Sequence, residues 1–219
     1  MKMLKVKLYI QNIRIGCREG TERSDLPVFL VKLGNGESLG FTASAFKGLL
    51  RRAAEKVLIL GKFSKDLSEK LIDAYKSLFG ESTYFNLKYD DKYEDIILTA
   101  SENKSPTQSK LRFLVEPIPG NTNIQRRASI RVNDRFLSVE RGALWDYEFL
   151  SVDTIDVNII STKDTNKYEK MLLYLALTNL KYESIGGFGS RGIGIVEEVK
   201  ILDEEFLREA KSIVNEVCK

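Results

Sequence analysis

Gly186-Gly187-Phe188-Gly189-Ser190-Arg191-Gly192-Ile193-Gly194 places five glycines and one arginine in nine residues, and what flanks it decides the fold. Glycine-rich backbone can approach a phosphate closely, its N–H groups can form an anion-binding concavity, and an arginine adds charge. Gly187 to Gly192 even spells G-x-G-x-x-G. A dinucleotide site of that pattern needs a strand before it and a helix opening from it. Here the order is reversed. The apolar-rich segment Tyr168–Tyr182 precedes it, with Leu173, Ala176, Leu177 and Leu180 at the i, i+3, i+4, i+7 spacing of one helix face. Ile193-Gly194-Ile195-Val196, with Val199 and Ile201, follows as a strand. A helix-to-strand loop aims no helix N-terminus at a pyrophosphate, so a nucleotide-cofactor fingerprint is rejected. Two readings stay open: a backbone loop that meets a nucleic-acid phosphate chain, or a tight structural turn.

Working outward, residues 3–15 alternate as a strand with Leu4, Val6, Leu8 and Ile10 on one face. Residues 16–40 form a long polar segment with a short extended piece at Val28–Leu33. Thr42 or Ser44 can cap a helix carrying Phe46, Leu49, Leu50, Ala53 and Val57. A second helix is expected over Asp66–Leu78, stopping at Gly80. Residues 82–108 are polar and mixed and yield no element. Strands are expected near 110–117 and 128–133, then one long strand over 143–160. The helix at 166–182, a strand at 192–201 and an amphipathic helix at 203–217 complete the chain. Without the insertions the order is strand, helix, strand, strand, helix, strand, which predicts an α+β, ferredoxin-like (RRM-like) βαββαβ core. With no internal repeat and no low-complexity linker, the expectation is a single elaborated domain over 1–219, with an insertion at 82–108 and a thumb at about 117–140.

Composition narrows the chemistry. With 219 residues, 43% hydrophobic and 30% charged, the chain has the balance of an ordinary globular protein. No apolar run approaches a membrane span, and the start has no signal-peptide core, so the expectation is cytoplasmic with no membrane partner. Two cysteines, Cys17 and Cys218, make neither a disulfide framework nor a metal-ligand spacing. There is no histidine, which excludes Ser-His, Cys-His and histidine-zinc schemes within these residues. The net charge of +3 is small, but arginines cluster at 14/18/23, 51/52 and 126–141 while acids gather at 90–102 and 197–216. Segregated basic patches fit an anion-binding face; solvated surface charge is the other reading of each cluster.

The ordered motifs resemble the RAMP superfamily of CRISPR-associated RNA-binding proteins. Beyond the glycine loop, Ser44-Ala45-Phe46-Lys47-Gly48-Leu49-Leu50-Arg51 resembles that family's Ser-x-x-Lys-Gly-x-x-Arg helix entry, and Leu78-Phe79-Gly80 its Leu-Phe-Gly step. Ile130–Asp134 with Val139–Leu144 resembles a basic/acidic segment before a Glu-x-Gly-Ala strand start. Arg23-Ser24-Asp25-Leu26-Pro27-Val28 resembles the Asp-x-Pro-Val loop of the backbone subunit of type III effector complexes. The resemblance implies a repeated subunit that holds guide crRNA on its palm. Its thumb hairpin kinks the duplex with complementary target RNA, and a loop aspartate cuts the target. The implied partners are copies of itself, the large subunit and other subunits of the complex.

On that resemblance the RNA contacts are expected at Lys47 and Arg51, which share a helix face at i,i+4, and at Arg126, Arg127 and Arg131, in or beside a turn over 117–125. Gly187, Gly189, Ser190, Arg191 and Gly192 complete the set. Asp25 is the expected catalytic residue and the ligand of Mg²⁺ or a similar divalent cation, which favours oxygen donors; the cofactor is implied by the resemblance. Read by itself, Asp25 is equally a turn aspartate capping its own loop, and Glu19 and Glu22 are competing carboxylates. The leading expectation is a metal-dependent endoribonuclease. The alternatives are a non-catalytic scaffold of the same complex and, more weakly, a stand-alone guide-processing ribonuclease.

Overall fold

The computed structural model describes residues 3–16, 28, 30–33, 36–81, 85–101, 107–118, 124–133 and 138–217. The elements in chain order begin β1 (Met3–Ile10), β2 (Asn12–Ile13), β3 (Leu30–Leu33), β4 (Gly36–Leu39), α1 (Ala43–Leu60) and α2 (Lys65–Phe79). Then come β5 (Phe85–Asp90), β6 (Asp95–Ala100), β7 (Leu111–Val115), β8 (Ile124–Asn133), β9 (Ser138–Ser151) and β10 (Thr154–Ser161). The chain closes with α3 (Lys167–Asn179), 3₁₀ turns at Leu180–Tyr182 and Gly189–Arg191, β11 (Val196–Ile201) and α4 (Glu204–Val217).

The central sheet has the order β11-β1-β10-β7, with every neighbouring pair antiparallel. Counting only core strands, that is 4-1-3-2, the ferredoxin-like arrangement expected from the sequence. Alternation explains its two faces. Leu4, Val6, Leu8 and Ile10 of β1 meet Ile155, Val157 and Ile159 of β10 and Leu111 and Phe113 of β7 in the core. α1 closes that face with Phe46, Leu49, Leu50, Ala53, Ala54 and Leu58, and Phe46 meets Phe113 edge-on at 5.6 Å. Each of these valine, leucine, isoleucine and phenylalanine side chains contributes about 1.5–3 kcal/mol when fully buried.

The helix ends follow local chemistry. Thr42 caps α1 by accepting from the Ala45 amide at 3.2 Å, which settles the choice between Thr42 and Ser44. Asn166 and Glu169 form a reciprocal capping box on α3, with bonds of 2.9 and 2.8 Å. Glu169 continues inward, accepting from Ser77 Oγ at 2.6 Å and from Lys110 Nζ at 2.8 Å. Its carboxylate ties α2, β7 and α3 together. Burial pushes the Glu169 carboxyl up, but the bonds from Lys110, Ser77 and Asn166 outweigh it and hold it below the usual carboxylate range.

Five expectations need correction. The long strand at 143–160 is two strands, β9 and β10, separated at Val152–Asp153. There the Val152 amide donates to Gln11 carbonyl at 3.2 Å and the Ile10 amide to Asp153 carbonyl at 3.1 Å. The first strand breaks at the same level, at Gln11, into β1 and β2. The last strand starts at Val196 rather than 192, because Gly192 and Gly194 have φ of 79° and 76°, outside extended backbone. Residues 82–108 do contain structure: β5 and β6 pair as a hairpin in register Phe85↔Ala100 through Asp90↔Asp95, with Leu87 and Ile96 buried.

The fifth correction concerns the thumb region. Its first strand, β8, begins at Ile124 rather than near 128, so Arg126, Arg127 and Arg131 lie within that strand, Arg126 directly after the span expected as a turn. β8 pairs with β9 in a long hairpin, Ile124↔Leu150 to Asn133↔Ser138, with a register shift between Ile130 and Val132. β2 pairs with the base of β9 at Asn12↔Ser151 and Ile13↔Leu150. The hairpin therefore hangs from the two central strands of the sheet.

Candidate nucleic-acid interface

The glycine run is fastened at both ends by backbone. Gly186 forms a bridge with Arg14, and the Gly187 amide donates to Arg14 carbonyl at 2.8 Å. The Gly194 amide donates to Asn12 carbonyl and the Ile185 amide to Gly194 carbonyl, both at 2.7 Å. A Cβ on Gly186 would lie 2.0 Å from Arg14 carbonyl oxygen, and one on Gly194 2.0 Å from that of Ile185. Both also have positive φ, so these two positions admit glycine alone without rearrangement. The middle of the run differs. Arg191, Gly192 and Ile193 amides bond within the loop, whereas those of Gly189 and Ser190 make no backbone bond among the described residues.

Between the fastened ends, Phe188 has a left-handed backbone at φ 66°. That conformation turns its ring onto the base of the β8–β9 hairpin, where it meets Tyr147 edge-on at 4.9 Å and Trp145 at 5.9 Å. Trp145, Tyr147 and Phe149 alternate along β9 and share one face. Arg191 is exposed, with its guanidinium 4.8 Å from the ring centroids of both Trp145 and Phe188. Its Nη1 lies 3.5 Å from Ser129 Oγ, a marginal hydrogen bond. The buried Arg14 places its own guanidinium 4.7 Å from the Phe188 ring. These contacts hold Arg191 by cation–π attraction, leaving its donors toward solvent.

Beside this cluster is a cavity of about 470 Å³ lined by Arg127, Ala128, Ser129, Ile130, Tyr147 and Arg191. Two arginines and a tyrosine border it, with no carboxylate in the lining. Arg127 pairs in register with Tyr147, so it faces the same side as the glycine loop. Arg126 faces the other side and is ion-paired with Asp146. The side chain of Arg131 lies outside the described residues.

The α1 candidates have different surroundings. Arg51 bonds to Glu55 Oε1 at 3.3 Å and Tyr75 Oη at 2.7 Å, and its guanidinium lies 5.4 Å from the Tyr75 ring. Tyr75 donates to the same Glu55 oxygen. Burial, then the Glu55 carboxylate, pushes the Tyr75 hydroxyl well above its usual pKa. Lys47 is half-buried; burial, then repulsion from Arg51, lowers its pKa. The neighbouring Arg52 and Lys56 both pair with the buried Glu183, just before the glycine run. Lys47 and Arg51 are thus on one helix face as expected, and among the described residues no hydrogen bond, ion pair or ring contact joins either to the glycine loop's aromatic cluster.

Asp25, with Glu19 and Glu22, lies outside the described residues. The residues on either side of that segment are placed: Gly16 bridges to Val28, and the Val28 amide donates to the buried Glu148 of β9 at 3.3 Å. Gly16 is two residues from Arg14, which anchors the glycine run. Among the described residues no group of three or more His, Cys, Asp or Glu could hold a metal ion, and no helix is long and apolar enough to cross a membrane.

Sequence reasoning found the glycine loop and Arg127, and missed Arg14, Trp145, Tyr147 and Phe188 as parts of one cluster. The alternation Trp145/Tyr147/Phe149 was a usable signal; the pairing of that face with Phe188 is long-range and was not.

A search of curated protein sequences finds no match. Among solved structures, a chain of the type III-B Cmr-beta apo-state cryo-EM structure is similar, with a TM-score of 0.57 and 14% identity, covering 93% of this chain and 98% of that one. The likeness is one of fold. The family model of the RAMP superfamily matches residues 33–197, a span that includes α1, the β8–β9 hairpin and the whole glycine run, and on that match the chain belongs to the RAMP superfamily.

Proposed function

We propose that this chain is a crRNA-binding subunit of a type III CRISPR effector complex that cuts guide-paired target RNA at Asp25. The observation that carries the reading is a convergence. The two ends of the segment holding Asp25, Gly16 and Val28, are fixed beside Arg14 and Glu148, and the same strand ends fix the glycine run and its arginine–aromatic cluster at the hairpin base. One end of that segment, Gly16, lies against the Arg14 guanidinium that reaches the Phe188 ring, so RNA lying along Arg191 would run near that end.

In this reading Arg127, Arg191 and the Gly189 and Ser190 amides hold phosphates, and Gly187 and Gly192 shape the loop that presents them. Arg126, Arg131 and Lys47 add longer-range attraction. Arg51 chiefly fixes α1 against α2. Backbone contacts suit a guide whose sequence varies. Asp25 would hold Mg²⁺ or a similar cation together with RNA phosphate oxygens and water, a donor set of hard oxygens that fits such an ion. Bound there, such a cation would offset negative charge on the phosphate and leaving-group oxygens. The protein's part is alignment, the hairpin bending the duplex so that a 2′-hydroxyl or a water is in line with that bond. The partners in this reading are the target RNA, further copies of the chain and the large subunit.

The deciding experiment is target-RNA cleavage by the complex assembled on guide RNA, wild type against Asp25→Ala, with and without Mg²⁺. Metal-dependent cuts at regular spacing that vanish in the variant, with guide binding intact, support the reading. Cleavage that persists in the variant makes this chain a scaffold and moves the nuclease to a partner.

A further inference from the structure

Among the described residues the outward face of the central sheet carries exposed side chains, and the order of charges along one of its rows is self-complementary. One row across the four strands reads Lys200, Lys7, Asp156, Glu116: two cations on β11 and β1, then two anions on β10 and at the end of β7. Lys7 and Asp156 are 3.5 Å apart, each about one-third exposed. Lys200 and Glu116 are exposed, and neither has an ion pair among the described residues. The next row on the same face reads Leu202, Lys5, Asn158, Leu114, with the leucines, 44% and 56% exposed, at its two edges and the exposed Lys5 beside Asn158 between them. The row beyond carries Met3, 49% exposed, opposite Ile160, with the exposed Arg112 of β7 next to it.

We infer that this face docks against the same face of a second copy of the chain, as a two-fold, sheet-on-sheet dimer. A two-fold axis running along the strands sets β11 over the partner copy's β7 and β1 over its β10. In that arrangement each Lys200 faces a Glu116, each Lys7 an Asp156, each Lys5 a neutral Asn158, each Met3 an Ile160 and each Leu202 a Leu114, and every pairing occurs twice. Aligned packing of twisted sheets about 10 Å apart accommodates side chains of this length. The face is of mixed sign, Lys5, Lys7, Lys200 and Arg112 against Asp156, Glu116 and Glu198, which suits a self-complementary contact better than a polyanion. The contact closes at two copies, so it cannot by itself propagate a filament; it goes beyond the proposed RNA function and does not depend on it.

Four strands and four outward rows give a face on the order of 500 Å² per copy, at the small end for a specific contact, so the dimer is concentration-dependent. The test is sedimentation equilibrium of the RNA-free full chain from about one micromolar to a few hundred micromolar, bracketing what such a contact supports. Lys200→Glu and Glu116→Lys, both on exposed edge positions, should each weaken dimerisation by about tenfold or more, like charges then facing each other twice. An equimolar mixture of the two variants should recover wild-type association as a heterodimer, since each copy then supplies what the other lacks. Leu114→Asp should leave a folded monomer. A wild-type chain that stays monomeric throughout, or a dimer that neither charge reversal weakens, or variants whose mixture does not recover, overturns the inference. RNA cleavage by the assembled complex is unaffected by either result.

Discussion

The helix-covered side of this protein and the hairpin side use the same cationic residues to opposite ends. Behind the sheet, Lys110 is paired with Glu169, Arg51 with Glu55, and Arg52 and Lys56 with Glu183, so the charges close on one another. At the hairpin base, Arg127 and Arg191 border a cavity whose lining has no carboxylate, and Arg191 rests on aromatic rings. Rings hold a guanidinium in place without neutralising it. The contrast teaches that what makes a cation a ligand-binding group is the partner the fold sets beside it.

The largest test of that contrast is Lys110→Met. It strands the buried Glu169 carboxylate and is expected to cost about 3–5 kcal/mol by denaturant unfolding, with RNA binding retained in the folded fraction. The pH dependence sharpens it. Because the folded Glu169 carboxyl is held below its usual value, its stabilisation is present above the unfolded-state value of about 4.3 and fades as pH falls through the lower folded value. Wild type and Glu169→Gln should therefore differ in stability at neutral pH and converge in acid. A difference that grew toward low pH would break the assignment.

On the hairpin side, Arg191→Ala should weaken RNA binding by roughly tenfold with little sequence dependence. It should also flatten the dependence of log affinity on log salt by about 0.7, one single-strand phosphate contact. Thermal stability should barely move. Arg51→Ala should do the reverse, lowering stability by about 1–2 kcal/mol through the loss of hydrogen bonds to Glu55 and Tyr75, with RNA affinity nearly unchanged. If Arg51→Ala weakened RNA binding more than Arg191→Ala, the division between the two sides would fail. Smallest of all, Arg126→Ala removes an exposed pair with Asp146 and should cost less than about 1 kcal/mol.

These expectations also mark where sequence reading succeeds and where it stops. The order of core strands and helices was legible because Leu4/Val6/Leu8/Ile10 and Leu173/Ala176/Leu177/Leu180 carry clean periods of 2 and 3.6. The glycine run was legible as a loop, and the fastening of its ends explains why both early readings of it had substance: Gly186 and Gly194 serve the turn, while Gly189 and Ser190 leave amides open. The break at Val152–Asp153 was not legible, because Val152 and Ile155 flank it and the apolar run continues across it. Nor was the closed state of Arg51: its partners Glu55 and Tyr75 are ordinary residues, and Tyr75 lies 24 positions away on another helix. In the β5–β6 hairpin Phe85, Leu87 and Tyr89 do alternate with polar residues, but the continuous run Ile96-Ile97-Leu98 hides the period of the partner strand.

The way the long hairpin is mounted has a mechanical consequence. β9 runs into β10 and β2 continues β1, so the two legs that carry the hairpin are the two middle strands of the sheet, each bonded on both sides. A force applied at the hairpin's far end, by a bent duplex or a neighbouring chain, is delivered to the part of the molecule least able to give way. The two interruptions at Gln11 and at Val152–Asp153 lie side by side across that path, and together they form a level at the hairpin's mounting where the lever can flex. Amide exchange should locate it: Ile10 and Val152 should exchange faster than Val6 and Val157 a few residues along the same strands.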